Sequence, residues 1–162
     1  MENTATISKE LRIDAHLAKF SQASVVVLSA AAFILQWPIL TLIATLCLGI
    51  SALAPTASPF RLLYRHVILP LHMWKPRIVE DDPAPHRFAQ GVGAVFLIAA
   101  TLVLFFTHAT ALGWALDLIV FVLSGLNFTL GFCAGCFVYY HLGRLGVLPK
   151  VRYEGSFHWR GV

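Results

Sequence analysis

Charged residues are scarce in this chain. They make up 12% of its 162 residues, whereas a typical soluble domain carries about 25%. Hydrophobic residues make up 58%, and the mean hydropathy is +0.75. This balance excludes an ordinary soluble domain and predicts a protein embedded in a lipid bilayer. The length suits one domain of a few helices.

Two further signals are missing. Residues 1–19 are polar and lack the apolar core and small-residue cleavage site of a secretory signal, so no removable targeting peptide is expected. The sequence pI is near 9.2, yet the chain holds no base-stacking motif and no clustered basic helix beyond one suited to a membrane surface. No nucleic-acid partner is therefore expected.

Four apolar runs contain no Lys or Arg, at residues 20–36, 39–54, 91–107 and 112–130. The first two hold about 16 or 17 residues, roughly 25 Å of helix, which is at the lower limit for a ~30 Å hydrocarbon core. The runs predict an all-α membrane protein with four transmembrane helices as two hairpins. The predicted segments are a cytoplasmic N-terminal segment at 1–19, hairpins at 20–54 and 88–142, a cytoplasmic interfacial connection at 55–87 and a cytoplasmic tail at 143–162.

The basic residues predict the orientation. All 12 Lys and Arg residues lie in the three polar segments, and none lies at the hairpin tips, Trp37-Pro38 and 108–113. Lys and Arg concentrate in the cytoplasmic loops of membrane proteins. Both termini and the central connection are therefore predicted to be cytoplasmic, in a multi-pass protein of a bacterial inner membrane.

The starts of the two hairpins resemble each other. Phe20-Ser21-Gln22 opens the first and Phe88-Ala89-Gln90 opens the second. A repeat unit of two spans returns to the same side of the membrane, so the halves would be parallel internal repeats. Chance similarity between apolar helices is the alternative interpretation.

Cys133 and Cys136 are the candidate catalytic residues. Their spacing places both thiols together on a helix or in a turn, with Cα atoms expected roughly 4.4 to 6.8 Å apart. They follow the fourth apolar run and are predicted at the cytoplasmic interface, with at least one sulfur reachable from water. A reducing cytosol argues against a structural disulfide and for a redox, sulfur-carrying or metal-binding role.

The direction of the helix at Gly131 decides which thiol is reactive. If one helix continues through both cysteines, they lie near its C-terminal end, which opposes thiolate formation. If Gly131 ends the helix and a new helix starts at Cys133, Cys133 is the predicted nucleophile. Both alternatives are open from the sequence.

Other roles for the pair can be weighed by ligand count. A c-type haem needs His directly after the second Cys, where this chain has Phe137. An iron–sulfur cluster needs four thiolates, and Cys47 is the one other cysteine in the sequence. Zinc or copper would need further ligands, for which the histidines on the same side are His66, His72, His86 and His141. No metal site or cofactor is assigned.

A packing role is the remaining alternative. Gly131 and Gly135 have the small-residue spacing through which membrane helices approach each other. Asp117 is the carboxylate inside an apolar run, and we expect it near the outer interface, where it reaches water.

Two segments carry a family resemblance. The runs EDDPAPHRFAQGVG at 80–93 and GFCAGC at 131–136 resemble a bacterial integral-membrane family catalogued as domain of unknown function 4395, over roughly residues 16–142. The resemblance implies four membrane helices, a CxxC pair and an association with thioredoxin-like or sulfur-transfer proteins. Phe137 lies where many relatives carry an acidic residue, which weakens the interpretation of the pair as a metal site.

The predicted function is that of an integral inner-membrane protein with a cytoplasm-side thiol pair. It would be a thiol redox or sulfur-relay partner of a thioredoxin-like or sulfurtransferase protein. The alternative is a structural or accessory subunit of a larger membrane complex, without catalytic activity. The sequence leaves open whether the chain is an enzyme and whether it forms a homo-oligomer in the lipid bilayer.

Overall fold

The computed structural model describes residues 12–70, 77–80 and 82–149. Within these ranges the regular structure is helical apart from one two-stranded ribbon. The prediction of a predominantly helical protein is therefore confirmed. Most of the polar N-terminal segment, most of the tail expected at 143–162 and the candidate ligand His72 lie outside the described residues.

The elements in chain order are β1 (Arg12–Asp14), α1 (Ala15–Leu35), α2 (Pro38–Leu53), a 3-10 turn (Pro55–Ala57), α3 (Pro59–Leu63), a π-helical turn (Tyr64–Ile68), β2 (Ile78–Glu80), α4 (Pro83–Phe106), α5 (Thr110–Leu130) and α6 (Ala134–Arg144). The two strands pair antiparallel, with Arg12 opposite Glu80 and Asp14 opposite Ile78. This ribbon is not predicted by the sequence pattern.

Aspartates fix the starts of two long helices. The carboxylate of Asp14 accepts hydrogen bonds from the backbone N–H of His16 at 3.0 Å and of Leu17 at 3.4 Å. Asp82 accepts from Ala84 N–H at 2.9 Å, ahead of Pro83 in the first turn of α4. Such caps satisfy the free N–H groups of a first turn. Both helices therefore begin before the predicted apolar runs.

Four long helices pack side by side in a ring. α1 contacts α2 and α5, and α4 contacts the same two helices as well as α6. Seven buried residues form the core where they meet: Val25, Ala44, Leu48, Phe60, Ala94, Leu97 and Val120. Short connections at 36–37 and 107–109 keep consecutive long helices adjacent.

The outer surface of the ring is strongly apolar. Val27 is 65% exposed, Ile34 76%, Phe106 81% and Leu130 74%. Within the described ranges, α1, α4 and α5 are long and apolar enough to cross a membrane, while α2 is a shorter apolar helix of 16 residues. Large apolar side chains on the outer surface are typical of a bundle whose solvent is lipid.

Two aromatic pairs hold the short helices against the long ones. The ring of Phe20 lies 5.7 Å from that of Tyr64, and the ring of Phe88 lies 5.5 Å from that of Tyr139. Burial, assisted by the negative charge of Asp14, raises the pKa of Tyr64. The turn after α3 and helix α6 are therefore anchored in equivalent ways.

Gly135 sets the distance between α6 and α4. A Cβ added at Gly135 would lie 2.6 Å from the Cα of Ala89, a distance that backbone atoms cannot accommodate without a shift. A residue with a side chain at this position would separate the two helices.

We expect the substitution Gly135→Ala to destabilise the protein by about 1–3 kcal/mol, because it overpacks a backbone contact. Gly125→Ala is the matched control, since nothing lies within 4 Å of a Cβ added there. Helix propensity alone should leave Gly125→Ala unchanged or up to about 1 kcal/mol more stable. Thermal unfolding in detergent measures both, and equal midpoints for the two variants would contradict the packing argument.

Candidate thiol site

The chain turns sharply at Gly131. Its φ of 65° and ψ of 22° are left-handed, and its N–H closes helix α5 by donating to the Asn127 carbonyl at 3.1 Å. Glycine adopts this conformation without the steric cost other residues incur. The sequence left open whether one helix continues through both cysteines or ends at Gly131, and in the structure it ends there.

Cys133 is the N-cap of the helix that follows. The structure contains a disulfide bond between Cys133 and Cys136, with their Cα atoms 5.2 Å apart, within the expected range. The sulfur of Cys133 also accepts a hydrogen bond from the backbone N–H of Cys136 at 3.2 Å. An N-terminal helix position and a donated N–H both stabilise negative charge on that sulfur.

Both cysteines are buried, contrary to the expectation that a sulfur is open to water. Cys133 is 2% exposed and Cys136 is 3% exposed. The physical reason is the close approach of α6 to α4 at Gly135, which covers the first turn of α6. The sequence showed the glycine but not the helix that packs against it.

Cys133 lines a cavity of about 540 Å³ at the end of the bundle that carries the β1–β2 ribbon, which we call the ribbon end. The cavity is lined by residues from the starts of α1 and α4 and from the ends of α2 and α5. Its charged lining residues are three basic side chains and one acidic one, Lys19, Arg61, Arg87 and Asp14, and its amides are Gln22, Gln90 and Asn127. This composition suits a small polar or anionic molecule.

The sequence pattern alone does not predict this lining as a site. Gln22 and Gln90 occupy matching positions in the two hairpin starts, and the structure places both in the same cavity. In the sequence, Lys19, Arg61 and Arg87 indicate orientation, and Arg61 also belongs to a basic segment suited to a membrane surface. Their convergence is a tertiary property, because they come from three separate helical segments.

His86 is the histidine that the structure brings to the thiols. Its Nδ1 lies 3.8 Å from the sulfur of Cys136, and a ring nitrogen of His86 and the two sulfurs all lie within 4.8 Å of one another. Among the other candidates, the Nδ1 of His66 contacts the Leu62 carbonyl at 2.9 Å, and the ring of His141 packs against Phe137 at 4.4 Å.

Asp117 is not near water. It is 0% exposed and lies in the core with the hydroxyl-bearing Ser29 and Thr41, which are also fully buried. The expectation that Asp117 reaches water is wrong, because neighbouring helices cover this face of α5. Cys47 packs against the hydrophobic core, away from the thiol pair.

Residues 13–144 match the model of a protein family described as Domain of unknown function (DUF4395). No curated protein and no solved structure matches the chain.

After reduction, Cys133 should react with N-ethylmaleimide several-fold faster than Cys136, because the helix N-terminus stabilises its thiolate. Mass spectrometry of the native protein in detergent gives the two rates. Cys47 is only partly buried, but it lies inside the apolar helix α2, where apolar surroundings oppose thiolate formation, so it should be slowest, and denaturation should make all three alike. Faster labelling of Cys136, or labelling of Cys47 at the rate of Cys133, would contradict this assignment.

Proposed function

The chain belongs to the family DUF4395, and we propose that it is an integral membrane protein whose Cys133–Cys136 pair cycles between dithiol and disulfide. The observation that carries the proposal is the position of Cys133, which caps α6, receives the Cys136 N–H and lines the cavity. A CxxC pair at a helix N-terminus is the arrangement used by disulfide oxidoreductases.

The proposed reaction is thiol–disulfide exchange. The Cys133 thiolate attacks a substrate disulfide, and a mixed disulfide forms as one substrate thiolate leaves and takes up a proton. Cys136 gives up its proton and attacks the Cys133 sulfur, which closes the internal disulfide and releases the second substrate thiol. Two electrons pass from the dithiol to the substrate, and a dithiol protein of the thioredoxin type returns them by the reverse steps.

Burial of both sulfurs limits the size of the molecule that can react with them. A folded protein reaches a sulfur that is 2–3% exposed only through a narrow segment, whereas a small thiol fits a cavity of about 540 Å³. The basic and amide lining favours an anionic disulfide compound as the immediate substrate, with a thioredoxin-like or sulfurtransferase protein as the redox or sulfur-transfer partner.

The proposed topology has four spans, with both termini and the central connection in the cytoplasm. The ribbon supports it, because β1 and β2 place the starts of α1 and α4 together. The 16 residues of α2 reach about 24 Å, and local thinning of the bilayer accommodates a helix that is a few Å short.

We also propose that the two halves are parallel internal repeats. The pairs Asp14 and Asp82, Phe20 and Phe88, and Gln22 and Gln90 have identical sequence spacing and equivalent roles as cap, aromatic anchor and cavity lining. A second common spacing relates Tyr64 to Tyr139 and the N-cap Ser58 to the N-cap Cys133. These matches support a duplication in which one half carries the thiols.

A packing role without chemistry is the second candidate. The contact between Gly135 and Ala89 favours it, since a helix pair can require small residues for structural reasons alone. The apolar exterior of the bundle would then bind subunits of a larger membrane complex as well as lipid.

Oxidised glutathione, an anionic disulfide, tests the redox proposal on the full-length protein reconstituted in lipid nanodiscs. The reduced wild type should become oxidised and release two equivalents of glutathione. Cys136→Ser should accumulate a mixed disulfide at Cys133, because the resolving thiol is missing, and Cys133→Ser should accumulate far less.

Cys47→Ser is the matched control and should behave as the wild type. A wild-type pair that neither forms its disulfide with excess glutathione disulfide nor opens with dithiothreitol would exclude redox cycling. If a Cys133→Ser, Cys136→Ser double variant then supported normal growth of the host cell, the packing role would be favoured.

Reporter fusions test the topology. A fusion inserted at His108 and a fusion at the C-terminus should report opposite sides of the membrane, because an odd number of spans separates them in the four-span arrangement. The distribution of Lys and Arg further predicts that the C-terminal fusion reports the cytoplasmic side. Reports from the same side for both fusions would rule out this topology.

A further inference from the structure

We propose that the reduced protein binds one Cu(I) ion through the sulfurs of Cys133 and Cys136 and the Nδ1 of His86. This inference rests on the proposed function only in requiring the dithiol state. It does not require exchange with a disulfide substrate. The site is assembled from two elements, the N-terminus of α6 and the first turns of α4, which Gly135 allows to approach each other.

The distances already approach those of a metal site. Metal–sulfur bonds are about 2.3 Å and metal–imidazole bonds about 2.0–2.1 Å, so one ion holds its sulfur and nitrogen ligands about 3.5–3.8 Å apart. The Nδ1 of His86 lies 3.8 Å from the Cys136 sulfur. The Cys133 sulfur belongs to the same group, whose ligand atoms all lie within 4.8 Å of one another. Reduction of the disulfide frees the two sulfurs to separate, which the Cα separation of 5.2 Å permits.

The ligand chemistry favours a soft cation. Two thiolates and one imidazole suit Cu(I) or Zn(II) and are poor ligands for Mg²⁺ or Ca²⁺. Zinc sites are four-coordinate, with either four protein ligands or three protein ligands and a water, and within the described residues this group supplies three ligands. Two thiolates and one imidazole complete a three-coordinate Cu(I) site by themselves, whereas Zn(II) would need a fourth ligand, so we propose Cu(I).

The surroundings favour retention of the ion. Both cysteines are buried and His86 is partly buried, which excludes large competing ligands, while the cavity that Cys133 and His86 line gives a small molecule access to the site. Two thiolates with one Cu(I) ion carry a net charge of −1, and the N-terminus of α6 and the basic lining of the adjacent cavity stabilise negative charge there. The anionic complex is therefore matched to its site.

Metal binding and disulfide formation exclude each other. Each sulfur is either bonded to the other sulfur or available as a thiolate ligand. When a disulfide substrate takes two electrons from the dithiolate, the internal disulfide forms and Cu(I) leaves unchanged in oxidation state. The redox state of the pair thus controls the occupancy of the site.

Competition with a colorimetric Cu(I) chelator, bicinchoninate, tests the proposal on the full-length protein in detergent under anaerobic conditions. The reduced wild type should remove one equivalent of Cu(I) from the chelator, and the oxidised wild type should remove none. Cys133→Ser and Cys136→Ser should lose this binding. His86→Gln should weaken it at least about tenfold.

His141→Gln and Cys47→Ser are the matched controls. His141 is a neighbouring histidine that packs against Phe137 instead of the thiols, and Cys47 packs against the core, so both variants should bind as the wild type. X-ray absorption at the copper edge should show two sulfur ligands and one nitrogen ligand, with the nitrogen lost in His86→Gln.

Several outcomes would overturn the inference. They are Cu(I) binding that survives in both cysteine variants, equal affinities for His86→Gln and His141→Gln, or a preference for Zn(II) with four ligands. Its failure is distinguishable from failure of the redox proposal. Copper binding without reaction with glutathione disulfide would leave this inference standing alone, and exchange without copper binding would leave the redox proposal standing alone.

Discussion

The contact between Gly135 and Ala89 is the interaction on which the thiol site depends. It lets the first turn of α6 lie directly on α4. That position buries both cysteines, brings Cys136 to within 3.8 Å of His86 and leaves Cys133 at the wall of a polar cavity. A side chain larger than hydrogen at position 135 would disturb all three features together.

The turn at Gly131 adds the electrostatic part of the site. Without it, α5 would continue and place the thiols at a helix C-terminus, whose carbonyls repel a thiolate. With it, Cys133 occupies an N-cap and receives an N–H hydrogen bond. Two glycines, one with a left-handed backbone and the other at a close helix contact, thus determine the position of Cys133 at a helix N-terminus and the burial of the pair.

The exterior of the bundle differs in chemistry from that of a soluble protein. Inside, small and hydroxyl-bearing residues share the space with the apolar core, and Thr45 and Thr101 are hydrogen-bonded at 3.0 Å and Ser51 and Ser58 at 2.6 Å. Large apolar side chains face outward. In lipid, apolar residues gain nothing from burial against one another, so close contact and interhelical hydrogen bonds become the forces that hold the helices together.

The sequence by itself determined the helical, apolar class of the protein and the presence of its thiol pair. Sparse charge and four apolar runs predict membrane helices because unpaired charge is costly in hydrocarbon. The Cys-x-x-Cys spacing predicts a thiol pair because residues three apart meet in any helix or turn. These features depend on neighbours in the chain, and they are readable without coordinates.

Only the tertiary structure decided what surrounds the thiols. The sequence offered four histidines as possible ligands and could not choose His86, because the choice depends on how α4 and α6 pack. It placed Asp117 near water, whereas helices distant in sequence enclose that residue completely. Burial and convergence arise from contacts between segments far apart in the chain, and a local pattern carries no information on which segments meet.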